Sequence, residues 1–358
     1  MSETEPPPPS KSFLSQLLVG RSAGSKKKPT LRKRLRNIGL FLGLFFILPL
    51  LVIWLYIAQP TSSSSARSDA AVSPARLEKH VRMLSETFSP RSFVHFKNLN
   101  ATADYIYSEF EALNSGGVLE DQVFDLKSHR YRNISLLLNA TSEEPRIVIG
   151  AHYDGYGPHP AADDNASGVA GMIELARLIA ADKSFTQPIE FVGYPLEEPP
   201  HFGSDEMGSA FHARDLKKAE TAVKLMVSLE MIGYFVDERG TQGYPHLVLK
   251  FIYPSRGNYV AIVSRTDMRD VIKSFKIGMK GTTDLPVYSI AAPAAIPGVD
   301  FSDHRNYWKE GYPAIMITDT AFYRNRKYHT PEDTADRLDY DRMAQVVIAV
   351  FEALKKVE

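Results

Sequence analysis

The 358-residue sequence contains no cysteine, which excludes disulfide frameworks, thiolate metal sites and cysteine nucleophiles. Any metal held by this chain must therefore sit on His, Asp and Glu. No internal repeat is visible. Net charge is also lacking, since 42 Lys+Arg balance 42 Asp+Glu, but the balance hides a split. Residues 1–37 hold nine Lys/Arg against two Asp/Glu, a net +7, which leaves 33 basic and 40 acidic residues in the remainder, a net −7. An acidic body argues against a nucleic-acid partner and points to a basic tail with a separate role. With 44% apolar and 23% charged residues, neither wholesale disorder nor a multi-span membrane protein fits.

Long apolar runs are absent with one exception. Residues 38–58, IGLFLGLFFILPLLVIWLYIA, pass 21 positions without a charge. At about 1.5 Å per residue such a helix crosses a hydrocarbon core of about 30 Å. Arg32, Lys33, Arg34 and Arg36 precede it, and the next Lys or Arg is Arg67. The positive-inside rule then places the N-terminus in the cytoplasm and the body in an extracytoplasmic space, as a single-pass membrane protein in contact with the lipid bilayer. Trp54 and Tyr56 suit an interfacial belt at the far end. A cleaved signal peptide is the rival, but its apolar region usually runs only 7–15 residues. The chain thus divides into a disordered basic tail (1–37), a transmembrane helix (38–58), a flexible Ser-rich linker (59–73) and one globular domain (74–358).

Beyond residue 74 helical and strand-like segments alternate. Helices are predicted near 74–88, 101–114, 167–181, 204–216, 268–279 and 340–354. Strands are predicted near 123–126, 134–138, 146–150, 189–193, 225–229, 247–253, 259–263, 287–290 and 314–317. The pattern implies an α/β fold with a mixed, largely parallel central sheet covered by helices on both faces. In such sheets the functional site is expected beyond the carboxyl ends of the strands.

Those ends carry a distinctive set of side chains. His152 and Asp154 follow the run RIVIG, and Asp164 lies in Asp163-Asp164-Asn165-Ala166-Ser167-Gly168 just before a helix. Glu197 and Glu198 follow IEFVG, Glu230 ends LMVSLE, and His329 sits in His-Thr-Pro-Glu-Asp. A lone strand-end acid is most often a cap or a surface charge. Two His and several carboxylates at successive strand exits are instead the inventory of an O/N-ligated zinc site, because burying so many acids without a cation is severely unfavourable.

The ordered series His-x-Asp, Asp-Asp-Asn-Ala-Ser-Gly, Glu-Glu, Leu-Glu-Met and His-Thr-x-x-Asp resembles metallopeptidase family twenty-eight, the co-catalytic zinc exopeptidases that include glutamate carboxypeptidases and glutaminyl cyclases. The resemblance covers most of residues 146–354. It implies a zinc exopeptidase-like fold and two Zn2+ per chain. It also implies that His152 and Glu230 bind one ion, that Glu198 and His329 bind the other, and that Asp164 bridges them. Glu197 would be the general base, and Asp154 the carboxylate that fixes the tautomer of His152. The substrate class would be peptides, trimmed by a membrane-anchored aminopeptidase.

Two departures stand out. Glu230 replaces the commoner Asp, and the stretch Glu197-Glu198-Pro199-Pro200-His201-Phe202-Gly203-Ser204 departs from the usual Glu-Glu-x-Gly-Leu-x-Gly-Ser, which leaves side-chain preference open. His304, in a Ser-Asp-His loop, is a candidate substrate-binding residue that could stabilise an oxyanion. The alternatives are a mono-zinc glutaminyl-cyclase-like acyltransferase and a catalytically inactive binding ectodomain. Oligomeric state is not legible.

Overall fold

The computed structural model describes residues 30–113 and 115–357. Most of the basic tail, residues 1–29, lies outside them. Contacts divide the described residues into two units, with the boundary between Pro49 and Leu50.

Helix α1 (Leu31–Ile57) takes in the long apolar run and has a mean hydropathy of 2.7 over its most apolar 18 residues, none of them buried. It is long and apolar enough to cross a membrane. Four of the five basic or polar residues at its start, Arg32, Lys33, Arg34 and Arg36, extend the helix upstream of the apolar run.

In the second unit the elements follow in the order α2 (Pro74–Arg82), α3 (Phe96–Glu111), β1 (Val118–Leu126), β2 (His129–Leu138), β3 (Arg146–His152), α4 (Gly168–Ala181), β4 (Ile189–Tyr194), α5 (Gly208–Lys218) and β5 (Val223–Glu230). They continue with β6 (Val260–Ser264), α6 (Arg269–Met279), β7 (Val287–Ala291), α7 (His304–Lys309), β8 (Ala314–Thr318) and α8 (Tyr340–Leu354). The eight strands form one sheet in the order β1-β2-β4-β3-β5-β8-β6-β7. Its centre, β4-β3-β5-β8, is parallel, and the pairs β1·β2, β2·β4 and β6·β8 are antiparallel.

Side-chain alternation along the central strands builds two cores. Ile147, Ile149, Leu225, Val227, Ile315 and Ile317 face one layer with α2, α3, α4, α6 and α8. Val148, Met226, Ala314 and Met316 face the other, with Leu216 of α5 and Tyr307 and Trp308 of α7. Burial on both faces explains why these strands read as nearly continuous apolar runs. Their parallel arrangement brings the carboxyl ends of β3, β4, β5 and β8, at His152, Tyr194, Glu230 and Thr318, to one edge.

Several segments differ from the expectation. Residues 247–253 form no strand: Leu247–Phe251 is a short 3-10 helix between Pro245 and Pro254, and only Leu249 within it is buried. Proline on either side denies a ladder hydrogen bond, and an apolar run this short carries no decisive period. The helix expected from 204 begins at Gly208, because residues 195–207 form a loop whose Pro195 carbonyl accepts from the Gly208 N–H at 2.9 Å. Helix α7 was not expected. The stretch 59–73, read as a flexible linker, is hydrogen-bonded to the body: Ser65 N–H donates to the Lys280 carbonyl at 2.7 Å, Ser68 N–H to Thr282 at 3.0 Å, and Ser68 Oγ to Glu352 at 2.6 Å. Arg67 pairs with Asp284.

Candidate metal centre

The site grows from the ends of the central strands. His152 closes β3 and is wholly buried. Its Nδ1 faces Asp154, 3.2 Å from the main-chain oxygen and 3.4 Å from Oδ1. With Nδ1 so occupied, Nε2 is directed at carboxylates: Asp164 Oδ1 and Glu230 Oε2 at 3.4 Å each, and Glu197 Oε2 at 4.0 Å. Asp154 has a second task. Its Oδ1 accepts the Glu197 N–H and its Oδ2 the Glu198 N–H, both at 3.1 Å, so a single carboxylate orients the histidine and the backbone of the paired glutamates that follow β4.

Asp164 lies in the tight turn Ala162–Ser167 that leads into α4. Asp333 holds this turn, its carboxylate accepting the Asp163 N–H at 3.1 Å and the Asp164 N–H at 3.2 Å. Asn165 fixes the other side, donating from Nδ2 to the Leu229 carbonyl at 2.8 Å and accepting the Met231 N–H at 3.0 Å. Turn and β5 are thus tied together on both sides of Glu230. While Asp164 Oδ1 faces His152, its Oδ2 is 3.0 Å from His329 Nε2. Glu198 Oε2 is 3.1 Å from the same nitrogen. The His329 ring is stacked between Tyr156 and Tyr328, with centroids 3.9 and 3.7 Å away.

Two clusters result, His152–Asp164–Glu230 and Asp164–Glu198–His329, and within each the potential ligand atoms lie within 4.8 Å of one another. Asp164 belongs to both. Nε2 of His152, Nε2 of His329 and Oε1 of Glu198 are buried without hydrogen-bond partners, although oxygens and nitrogens of opposite charge surround them. Atoms that converge in this way without pairing have the donor set and the open valences that a cation fills.

The electrostatics are those of an acid cluster waiting for positive charge. Burial pushes the Glu197 carboxyl well up, helped by Glu230 and Glu198. Burial and the charge of Asp164 raise Glu198 to about 8. Burial raises Glu230 as well. Asp164 goes the other way: burial opposes its charge, but contacts with His152 and His329 hold it below the usual carboxylate range. At His329 burial opposes the imidazolium, yet Asp164 and Glu198 lift it to about 10.

His304 does not join the cluster. It is buried in α7, where Nε2 meets the Val299 carbonyl at 2.8 Å and the ring stands edge-on to Trp308. Its neighbour Ser302 makes the contact instead, donating from Oγ to Glu230 Oε2 at 2.7 Å. Ser302, Tyr156 and Tyr328 were not legible as site residues. Only the proximity of Ser302 to His304, and of Tyr328 to His329, hinted at them.

Beside Glu230 opens a cavity of about 860 Å³, solvent at its mouth included, walled by β6, β7 and β8 and lined by Tyr244, Tyr259, Tyr288, Phe322, Tyr323 and Tyr328. Among the described residues, no charged side chain other than Glu230 lines it.

A profile of Peptidase family M28 matches residues 133–354. Uncharacterized protein YfbL of Escherichia coli K12 is 45% identical over 323 residues, covering 88% of this chain and 97% of YfbL. Leucine aminopeptidase 1 of Coccidioides posadasii (strain C735) is 24% identical over 329 residues, covering 80% and 77%. Among solved structures, the LapA aminopeptidase of Legionella pneumophila superposes with a TM-score of 0.63 at 22% identity over 80% of this chain and 73% of LapA. A glutaminyl cyclase of Porphyromonas gingivalis superposes at 0.60 with 19% identity over 80% and 99%. At these identities the superpositions show a shared fold.

Proposed function

The chain belongs to Peptidase family M28 and is a hydrolase of the metallopeptidase class, and from that premise we propose that it is a membrane-anchored aminopeptidase with two zinc ions that acts on short peptides. The observation that carries the reading is Asp164, whose two oxygens face two histidines that belong to two separate ligand groups. His152 and Glu230 would hold one ion, Glu198 and His329 the other, with Asp164 shared. When bound, the ions supply Lewis acidity, lowering the pKa of a water and polarising the scissile carbonyl.

The rest is done by the chain. Glu197, buried at the rim of the first group and pushed toward basicity, takes the proton of the attacking water on a carboxylate oxygen and passes it to the leaving amine nitrogen. Asp154 keeps that carboxylate in register with Glu198 through the two adjacent N–H groups. The uncharged aromatic cavity next to Glu230 suits a bulky apolar side chain of the substrate. The relatives named for leucine aminopeptidase activity favour amino-end trimming. Helix α1, with its basic N-terminal flank, would hold the N-terminus in the cytoplasm and the catalytic body outside. The intact second ligand group supports this reading over the mono-zinc cyclase and the inactive ectodomain.

Elemental analysis of the purified full chain, wild type beside Glu197→Gln, tests the reading together with hydrolysis of an aminoacyl-amide panel. Two zinc ions in both proteins, with turnover lower in the variant by about 10²–10⁴-fold, is the expected result. One ion per chain would favour the cyclase chemistry. No stoichiometric metal after zinc supplementation would leave a binding scaffold.

A further inference from the structure

Among the described residues beyond α1, the two most exposed large apolar side chains are Phe251, 81% exposed, and Leu247, 74% exposed. Single exposed hydrophobics are ordinary, but these two sit in one five-residue turn bounded by prolines. Between them Leu249 is buried, packed with Tyr253 against Ala58, and Ile57, Val248 and Ile252 join the same cluster. The exposed pair therefore flanks the residue that receives the end of α1, the one described helix that is long and apolar enough to cross a membrane.

That end is not free to swing. Arg269 Nε donates to the Tyr56 carbonyl at 2.8 Å and its guanidinium lies over the Tyr56 ring at 4.1 Å. Lys276 Nζ donates to the Ala58 carbonyl at 2.9 Å, and Ser289 Oγ to the same carbonyl at 3.0 Å. Two cations of α6 thus satisfy the carbonyls of Tyr56, in the last turn of α1, and of Ala58 just beyond it, where the helix dipole favours positive charge. Residues 50–57 belong to the same compact unit as the body, so the level at which the chain leaves the apolar run is fixed relative to the turn. Tyr56 and Trp54 mark that level as an interface, and exposed Lys250, between Leu247 and Phe251 in the sequence, offers a charge to a lipid phosphate.

We propose that the turn Leu247–Phe251 is a second membrane contact, which inserts Leu247 and Phe251 into the lipid surface beside the exit of α1. The proposal rests on the membrane-anchor reading of α1. It gives the aromatic cavity a lipid-facing wall, because Leu249 and Tyr253, which back the turn, also line that cavity.

The absence of cysteine makes the test direct. Full-length Leu247→Cys, Phe251→Cys, Leu44→Cys and Val123→Cys proteins are spin-labelled, reconstituted in vesicles of phosphatidylcholine with phosphatidylglycerol, and compared for relaxation by oxygen and by a water-soluble nickel chelate. Leu44 lies within α1, and Val123 lies on β1, at the sheet edge opposite β7. Labels at 247 and 251 are expected to favour oxygen, as at 44, whereas 123 favours nickel. Nickel preference at both 247 and 251, with 44 in lipid, overturns the proposal and leaves the anchor standing. Nickel preference at 44 as well overturns the anchor reading and the proposal together. Neither outcome depends on peptidase activity.

Discussion

Glu230 is one methylene longer than the aspartate commoner at its position, and Ser302 shows how the extra reach is managed. The serine hydroxyl, itself 2.8 Å from Ser228 Oγ, holds Oε2 in place. Replacing Ser302 by Ala is expected to weaken zinc at the His152–Glu230 group by about 10–100-fold, as loss of an outer hydrogen bond commonly does. A chelator competition that resolves the two proposed ions would show it, and equal weakening of both would contradict the assignment. The charges of the cluster predict a proton effect as well. Glu198 titrates near 8 and His329 near 10 in the metal-free site, so both carry protons at pH 7 that zinc must expel. Apparent affinity should therefore rise with pH, and calorimetry in buffers of different ionisation enthalpy should report proton release. The acids and histidines of this cluster were legible because chemistry at strand ends is compact in sequence. Ser302 was not, since a serine has no distinctive pattern and its role comes from a fold contact with β5, 72 residues away.

Single elements are held in place by buried charges. The Arg91 guanidinium is fully buried and donates to the carbonyls of Tyr153, Leu84, Pro160 and Ala161, tying the loop after β3 to the segment that follows α2. Arg91→Leu would leave four carbonyls without a donor and is expected to cost on the order of 4 kcal/mol, read as a lower urea midpoint at unchanged slope. On β4, burial opposes the charge of Glu190, but His212 and Arg146 hold it near 2, against 4.5 when unfolded. A depressed carboxylate stabilises above its unfolded pKa and loses that contribution as pH falls toward the folded value. The stability gap between wild type and Glu190→Gln should accordingly be full at pH 6 and shrink between about pH 4.5 and pH 2. The central strands were legible because burial on both faces writes apolar runs into sequence. The turn Leu247–Phe251 was misread as a strand because the largely apolar stretch 247–253 owes its shape to Pro245, Pro254 and the distant Ala58, none of which alters the local pattern. Residues 59–73 have the composition of a tether, and only their partners on α6 and α8 show them to be laid against the body.

For the second unit as a whole, the proposed metal cluster would be a fastening as well as a reaction centre. It joins β3, the turn before α4, the loop after β4, β5 and the His329 loop, which are distant in sequence. Ligands that bind only the folded state stabilise it by mass action, about 4 kcal/mol when free zinc stands at 1,000 times its Kd. Chelation should lower the thermal midpoint and zinc should restore it, whereas magnesium, which prefers an oxygen shell, should not. The capped end of α1 bears on a different quantity. An enzyme on a long leash sweeps a volume and meets substrates at a rate set by bulk concentration. Here the carbonyls of Tyr56 and Ala58 are gripped by Arg269 and Lys276, so that, if α1 is the anchor proposed above, the chain at its exit has no slack against the body. On a membrane such a molecule patrols a thin layer at constant altitude, and its workload would follow the number of peptides per unit area rather than per unit volume.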